Sequence, residues 1–174
     1  MDDLQLLKDE LAALKARVRQ LEDHRDLTQL VCQYGPSVDS GTAEETTSIW
    51  TEDGEFAVVG GEHTFTMKGS DDIAGMVNGA GHQSLIMNGC AHVLTVPHVV
   101  IEGDKATGRS YALNIRWDAE ADRFWVARVS ANRWNWARTG QGWKVVERIN
   151  SNLDGAEASR ALLAPQSHGQ DKAL

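Results

Sequence analysis

Between residues 90 and 152 four strand-like stretches follow one another, at about 90–102, 105–117, 123–138 and 142–152. Turn-forming residues separate them: Gly103-Asp104, Asp118–Asp122 and Gly140-Gln-Gly142. Each is roughly twice the usual strand length of about 5–6 residues. Strands this long cannot stay flat, because their right-handed twist accumulates. They predict one strongly curved, mostly antiparallel sheet. Upstream, Glu55–Val59 and His63–Lys68 flank Gly60-Gly61, a hairpin signal. Ser70 caps a helix over 71–78, which Gly79-Ala-Gly81 ends. Thr42-Ala-Glu-Glu45 has the form of a capping box opening a helix over 43–50. A further helical pattern runs through Leu27, Leu30, Val31 and Tyr34 and is expected to break at Gly35-Pro36, since proline removes a donor and clashes one turn back. Helices first and strands after is an α+β order. A curved sheet wrapped on N-terminal helices makes a cone-shaped α+β barrel, whose apolar interior is the expected place for a small-molecule site.

Residues 2–24 carry a separate signal. Leu4, Leu7, Leu11, Leu14, Val18 and Leu21 are spaced 3-4-3-4-3, as the a and d positions of a coiled coil require. Lys8, Glu10, Lys15, Arg17 and Glu22 occupy the flanking positions. The same seam suits an amphipathic helix packed on its own domain, and both readings stand on sequence. The chain thus divides into a heptad-patterned extension (1–24), a cone domain (25–155) and a polar C-terminal tail (156–174) whose last ten residues are expected to be disordered.

With 174 residues there is enough chain for one domain with a sizeable core. A net charge of -8 disfavours nucleic acid and anionic membranes, which reward clustered positive charge. The acidic start Met1-Asp-Asp3 lacks the basic, then apolar pattern of a secretory signal, and no apolar run is long enough to span a bilayer. Cys32 and Cys90 form no CxxC and read as buried thiols rather than a disulfide, which points to the cytoplasm. Five of the six tryptophans, Trp117, Trp125, Trp134, Trp136 and Trp143, fall among the long strands and supply core, cavity wall or a sticky outer sheet face.

Four residues carry chemistry: Tyr34, Asp39, His92 and Arg148. They come from three separate segments and converge only if the sheet curls around them. His92 opens a strand-like stretch in which alternation puts His92, Leu94, Val96, His98 and Val100 on one face. An imidazole titrates near neutral pH and suits a general base. A carboxylate bonded to one of its nitrogens fixes the tautomer and frees the other. Asp39 is a candidate for that role, though Val-Asp-Ser-Gly also reads as ordinary turn chemistry. Val146, Arg148, Asn150 and Asn152 share a strand face, either a polar site or a solvated surface. A guanidinium there would steady a developing enolate, and the Tyr34 phenol would serve a leaving oxygen. His63, His82 and His98 are scattered, with no metal-ligand spacing. No GxGxxG, GxSxG or phosphate-loop pattern occurs. Neither metal nor nucleotide cofactor is expected.

These segments resemble the SnoaL-like branch of the nuclear transport factor 2-like superfamily over about residues 22–155. The resemblance rests on Leu27-Thr-Gln-Leu-Val-Cys-Gln-Tyr34 with Val38-Asp39, Ile49-Trp50 with Asp53-Gly-Glu55, Asn88-Gly-Cys-Ala-His92, and Gly142-Trp-Lys-Val-Val-Glu-Arg148, in that order and spacing. It implies a cone and an Asp–His dyad like those of hexachlorocyclohexane dehydrochlorinase, scytalone dehydratase and bile-acid dehydratase. Asp39 and His92 match the dyad's places, and Arg148 matches an arginine of the last strand. Tyr34 stands where the dehydrochlorinase pattern has lysine and the bile-acid dehydratase pattern has tyrosine, which leans toward an oxygen leaving group.

The resulting expectation is a cofactor-independent lyase of the dehydratase type, acting on a hydrophobic cyclic or aromatic small molecule. His92, Asp39, Tyr34 and Arg148 are its catalytic candidates, and Asn150, Trp50 and Val96 its substrate-binding wall. A C–C lyase releasing a one-carbon unit, an isomerase or an aldol cyclase would use the same groups. A non-catalytic binding protein would use the same cone. The heptad seam, the Trp-rich strands and the family precedent together predict a homo-oligomer, a trimer ahead of a dimer.

Overall fold

The structure, a computed structural model, describes residues 3–60 and 64–165. Among these, α1 (Asp3–Asp39) and α2 (Ala43–Ser48) precede the strands β1 (Trp50–Val59) and β2 (Phe65–Lys68). The helices α3 (Gly69–Asn78) and α4 (Ala80–Met87) follow, then β3 (Cys90–Leu94), β4 (His98–Glu102), β5 (Lys105–Asp118), β6 (Arg123–Thr139), β7 (Gly142–Asn152) and α5 (Glu157–Ala161). The strands form one mixed, unclosed curved sheet in the order β2-β1-β7-β6-β5-β3, with β4 also on β5. Pairing is antiparallel except between β1 and β7. This is the α+β cone that the length of the strands and the order of helices and strands predict.

The core lies between the inner sheet face and the helices. Leu27, Val31 and Val38 of α1 meet Ile73 and Val77 of α3 and the sheet residues Phe56, Trp134, Trp136 and Val145. Three of the C-terminal tryptophans (Trp134, Trp136, Trp143) are therefore core, not outer face. Trp136 lies flat over Gly108, where an added Cβ would meet its ring at 2.4 Å. Trp125, 49% exposed, remains outside.

Several local expectations are corrected. The helix does not break at Gly35-Pro36. It runs on to Asp39: Pro36 forfeits only the one bond its N–H would make to the Cys32 carbonyl, and the Ser40 N–H closes the last turn onto the Pro36 carbonyl at 2.9 Å. Thr42 makes no side-chain cap bond; its hydroxyl pairs with Ser40 Oγ at 2.8 Å. Ser70 is not a cap either, since α3 starts at Gly69 and Asp72 Oδ2 instead accepts the Lys68 N–H at 3.0 Å. Gly79-Ala-Gly81 does not end the helical region, because α4 starts at Ala80. The stretch 90–102 is two strands. Pro97 has no ladder donor, so the chain leaves β5 there, and Thr95 Oγ1 takes the Tyr111 N–H at 3.0 Å in place of a backbone carbonyl.

Of the expected hairpin, β1 and β2 pair as predicted, but residues 61–63, including His63, lie outside the described residues. So does all of the last ten residues except Pro165. The preceding segment is docked: Arg133, Arg109 and Ser151 hold α5 and the turn after it. Both thiols are free, and Cys32 is exposed rather than buried. No helix of the described residues is long and apolar enough to cross a membrane.

Candidate active site

Asp39 is the last residue of α1, where the helix dipole disfavours a carboxylate. Two hydrogen bonds from one residue compensate. The His92 backbone N–H reaches Asp39 Oδ2 at 2.7 Å, and the His92 ring nitrogen Nδ1 lies 2.6 Å from Oδ1. The helix comes this close to β3 only because residue 35 is glycine. A Cβ there would stand 2.3 Å from the His92 carbonyl oxygen.

Burial alone pushes the Asp39 carboxyl up, but the hydrogen bonds and charge of His92 outweigh it and hold the group below the usual carboxylate range. An ionised carboxylate only accepts, so Nδ1 must carry a proton, and in the neutral form of the ring Nε2 keeps a free lone pair. The Cys90 thiol also points at Asp39 Oδ1, at 3.6 Å; burial and then Asp39 push it up to about 11. Asp39, Cys90 and His92 have potential metal-ligand atoms within 4.8 Å of one another. Asp39 already accepts from all three donors, and its neighbouring thiol is held protonated, so the cluster has the chemistry of a hydrogen-bonded dyad.

A cavity of about 110 Å³ opens beside this pair. Tyr34, His92, Asn114, Arg128, Arg148 and Asn150 give it polar lining. Phe56, Val58, Phe65, Met76 and Leu94 give it apolar lining.

Strand register builds this lining in rows. Phe56, Arg148 and Trp134 are mutual neighbours across β1, β7 and β6. The Arg148 guanidinium consequently lies 4.6 Å from each of those two ring centres, and Tyr34 of α1 closes the box at 4.1 Å. Val58, Asn150 and Asn132 form the next row. Asn132 Oδ1 accepts from Arg148 Nε at 2.8 Å and from Asn150 Nδ2 at 3.1 Å. A third row, His92, Asn114 and Arg128, crosses β3, β5 and β6, and Arg128 Nε donates to Asn114 Oδ1 at 3.1 Å. Burial pushes both guanidinium groups below their ordinary value. Both stay protonated, because arginine starts far above neutral pH.

Arg148 Nη1, Asn132 Nδ2 and Asn150 Oδ1 are buried without a hydrogen-bond partner in the protein. Unsatisfied buried groups are costly; of these three residues Arg148 and Asn150 line the cavity, and Asn132 does not. Opposite them, the His82 ring lies 5.8 Å from that of His92; burial and then the charge of His92 push His82 below its ordinary value.

Tyr34, Asp39, His92, Arg148 and Asn150 thus meet at one place. Trp50 and Val96 do not. Trp50 turns into the core, tilted against Phe56 at 6.0 Å. Val96 sits in the break before Pro97 and is 72% exposed, because the expected alternation stops there. Sequence reasoning missed Arg128, Asn114, Asn132, His82 and Cys90. Alternation along β6 puts Arg128 and Asn132 on the face of Trp134 and would have found those two.

A helix-backed, unclosed curved sheet around such a cavity defines the nuclear transport factor 2-like, cystatin-like class of α+β folds. Within it, the chain belongs to the SnoaL-like domain family, whose model matches residues 19–149. This superfamily includes dehydratases and isomerases. The chain is similar to a nuclear transport factor 2-like protein with a cystatin-like fold from Novosphingobium aromaticivorans, at 45% identity and a TM-score of 0.84, covering 89% of this chain and 97% of that one. It shares its fold with a candidate scytalone dehydratase from the same organism, at 17% identity and a TM-score of 0.63, over 77% of this chain and 86% of that one. It also shares it with a candidate aromatic ring hydroxylase from that organism, at 24% identity and a TM-score of 0.61, over 76% and 90%. No curated protein matches the chain.

Proposed function

We propose that the cavity is the active site of a cofactor-independent lyase of the dehydratase type. The observation that carries this is the 2.6 Å contact between Asp39 Oδ1 and His92 Nδ1 at the cavity wall. His92 Nε2 takes a proton from a carbon next to a carbonyl, and the electron pair moves onto the carbonyl oxygen as an enolate. Asp39 holds the imidazole in the right tautomer and stabilises the imidazolium. Arg148, preset by its three-ring box and Asn132, and Arg128 face the developing negative oxygen, so little reorganisation is needed as charge builds. The enolate then expels the β-hydroxyl, which takes the Tyr34 phenol proton and leaves as water, and the proton taken up by His92 returns to Tyr34 after product release.

The cavity size limits the substrate. An apolar cavity of about 150 Å³ takes one benzene ring. At about 110 Å³ this one suits a single ring or a short chain with an oxygen function, not a fused-ring system.

A non-catalytic binding protein is the competing reading, favoured by the cavity-lining residues Arg148 and Asn150, each with an unpartnered polar atom, which would hold a polar guest without chemistry. The test is solvent deuterium incorporation, followed by NMR, into a panel of small cyclic ketones and β-hydroxyketones. Exchange should occur with the wild type and fall at least about 100-fold in His92→Ala and Asp39→Asn, the usual scale for losing a general base, with the fold unchanged by circular dichroism. A ligand that binds in the cavity with no exchange, or with exchange equal in the variants, would make the binding reading correct.

A further inference from the structure

From Asp3 to Glu22 every side chain of α1 is exposed. This segment is about 30 Å of helix. It touches the cone with no buried residue until Asp23, which Arg138 grips through two bonds of 2.7 Å and Trp143 Nε1 through one of 2.9 Å. The structure therefore removes one of the two sequence readings: the heptad seam does not pack on its own domain. Leu7, Leu11, Leu14, Val18 and Leu21 are 52–70% exposed, and Leu4 is in register with them. A lone helix of this length is marginal in water, so the seam requires a cover.

The flanking charges identify the cover. With Leu4, Leu11 and Val18 at a and Leu7, Leu14 and Leu21 at d, the g positions are Asp3, Glu10 and Arg17, and the e positions are Lys8, Lys15 and Glu22. In a parallel pair each g residue meets the e residue five positions on in the other helix. For two copies of this chain those pairs are Asp3 with Lys8, Glu10 with Lys15 and Arg17 with Glu22. All three are attractive, and symmetry doubles them. An antiparallel pair with the same leucines in contact sets e against e and g against g, so the attraction of Glu10 for Arg17 is offset by Lys8 beside Lys15. The self-complementary pattern selects a second copy over a foreign helix, and parallel over antiparallel. Val18 at a beside leucine at d is the two-stranded pattern, carried by one of the three a positions. The seam ends where the pattern reaches Arg25, just past the Asp23 anchor at which α1 joins the cone.

We infer that residues 3–22 form a parallel, two-stranded coiled coil with a second copy of this chain, so that the cones assemble as a closed two-fold dimer joined by a stalk. This replaces the expected trimer and does not depend on what the cavity does.

Light scattering after size-exclusion chromatography should give the full chain twice its 19.1 kDa mass. Leu11→Glu with Leu14→Glu should halve that mass and leave the thermal unfolding of the cone in place. Glu10→Lys alone and Lys15→Glu alone should each raise the dissociation constant several-fold, and the two together should restore it. In a Cys32→Ser background, Leu14→Cys should cross-link rapidly on oxidation, because only a parallel pair sets position 14 beside itself. A monomeric or trimeric wild type would overturn the inference. So would a dimer that survives the glutamates, or charge reversals that fail to compensate, or a Leu14→Cys chain that does not cross-link.

Discussion

The most consequential single residue outside the dyad is Gly35. A glycine inside a helix normally costs about 1 kcal/mol relative to alanine, so Gly35→Ala would be stabilising at an open site. Here its Cβ would overlap the His92 carbonyl oxygen at 2.3 Å, and that oxygen belongs to the backbone of β3, which cannot swing away. Overpacking of this kind costs about 1–3 kcal/mol, which outweighs the gain in propensity. Gly35→Ala should therefore lower stability in denaturant titrations and lengthen the Asp39–His92 contact. A variant more stable than the wild type would show that the helix has room to move. Arg148 makes a related point. Its charge is tolerated at 3% exposure because three aromatic faces and Asn132 surround it. Its Nη1 is buried with no hydrogen-bond partner in the protein, and the residue lines the cavity.

At the scale of elements, the register of the strands and the anchoring of the terminal helix matter most. The Arg133 guanidinium on the outer sheet face donates to the carbonyls of Ala161, Leu162 and Ala164 at 2.5–3.2 Å, and Arg109 reaches Leu163 at 2.9 Å. These are the orphan acceptors at and just past the C-terminus of α5, where positive charge is favoured. A five-residue helix has little stability of its own, so α5 depends on this clamp. Arg133→Met should cost about 1.5–3 kcal/mol locally, the scale for hydrogen bonds to a charged group. Hydrogen exchange should then show protection lost over 157–164 while β5 to β7 keep theirs. Retained protection in α5 would place its anchor elsewhere, for example in the 2.8 Å contact of Ser151 with Ser159.

For the whole molecule, two carboxylates tie α1 to the sheet, one at each end of its packed half. Asp23 is held below the usual carboxylate value first by its hydrogen bonds from Arg138, and Asp39 by those from His92 against the effect of burial. A folded-state value below the unfolded one means that the native state binds fewer protons in the window between them. The stabilisation is then complete above the unfolded value of about 3.9 and is lost as pH falls through the folded values. Denaturant midpoints should decline modestly below about pH 6.5, where the unfolded chain protonates His82 before the native state does, and fall steeply below about pH 4 as the two carboxylates are protonated. The pair Asp23→Asn and Asp39→Asn should be less stable at pH 7 but decline less on acidification. An acid limb as steep as that of the wild type would mean that other carboxylates govern it.

What the sequence determined by itself was local in period. Alternation placed Arg148 and Asn150 on one strand face, heptad spacing marked the seam, and the order of helices and strands defined the class. Each of these depends on residues a few positions apart along one chain segment. The rows that make the site depend on something else, the register between strands, which is shifted by irregularities at Asn114/Ile115 and Asn135/Trp136. Alternation along β6 marks the face of Arg128 but not its neighbours, so the row that joins it to Asn114 and His92 came into view only with the sheet assembled. Trp50 and Val96 left the expected wall for the same kind of reason: the core claimed one ring, and a missing proline N–H released the other residue to solvent. The free side of α1 was decided last, because only the assembled cone shows that nothing within the described chain covers it.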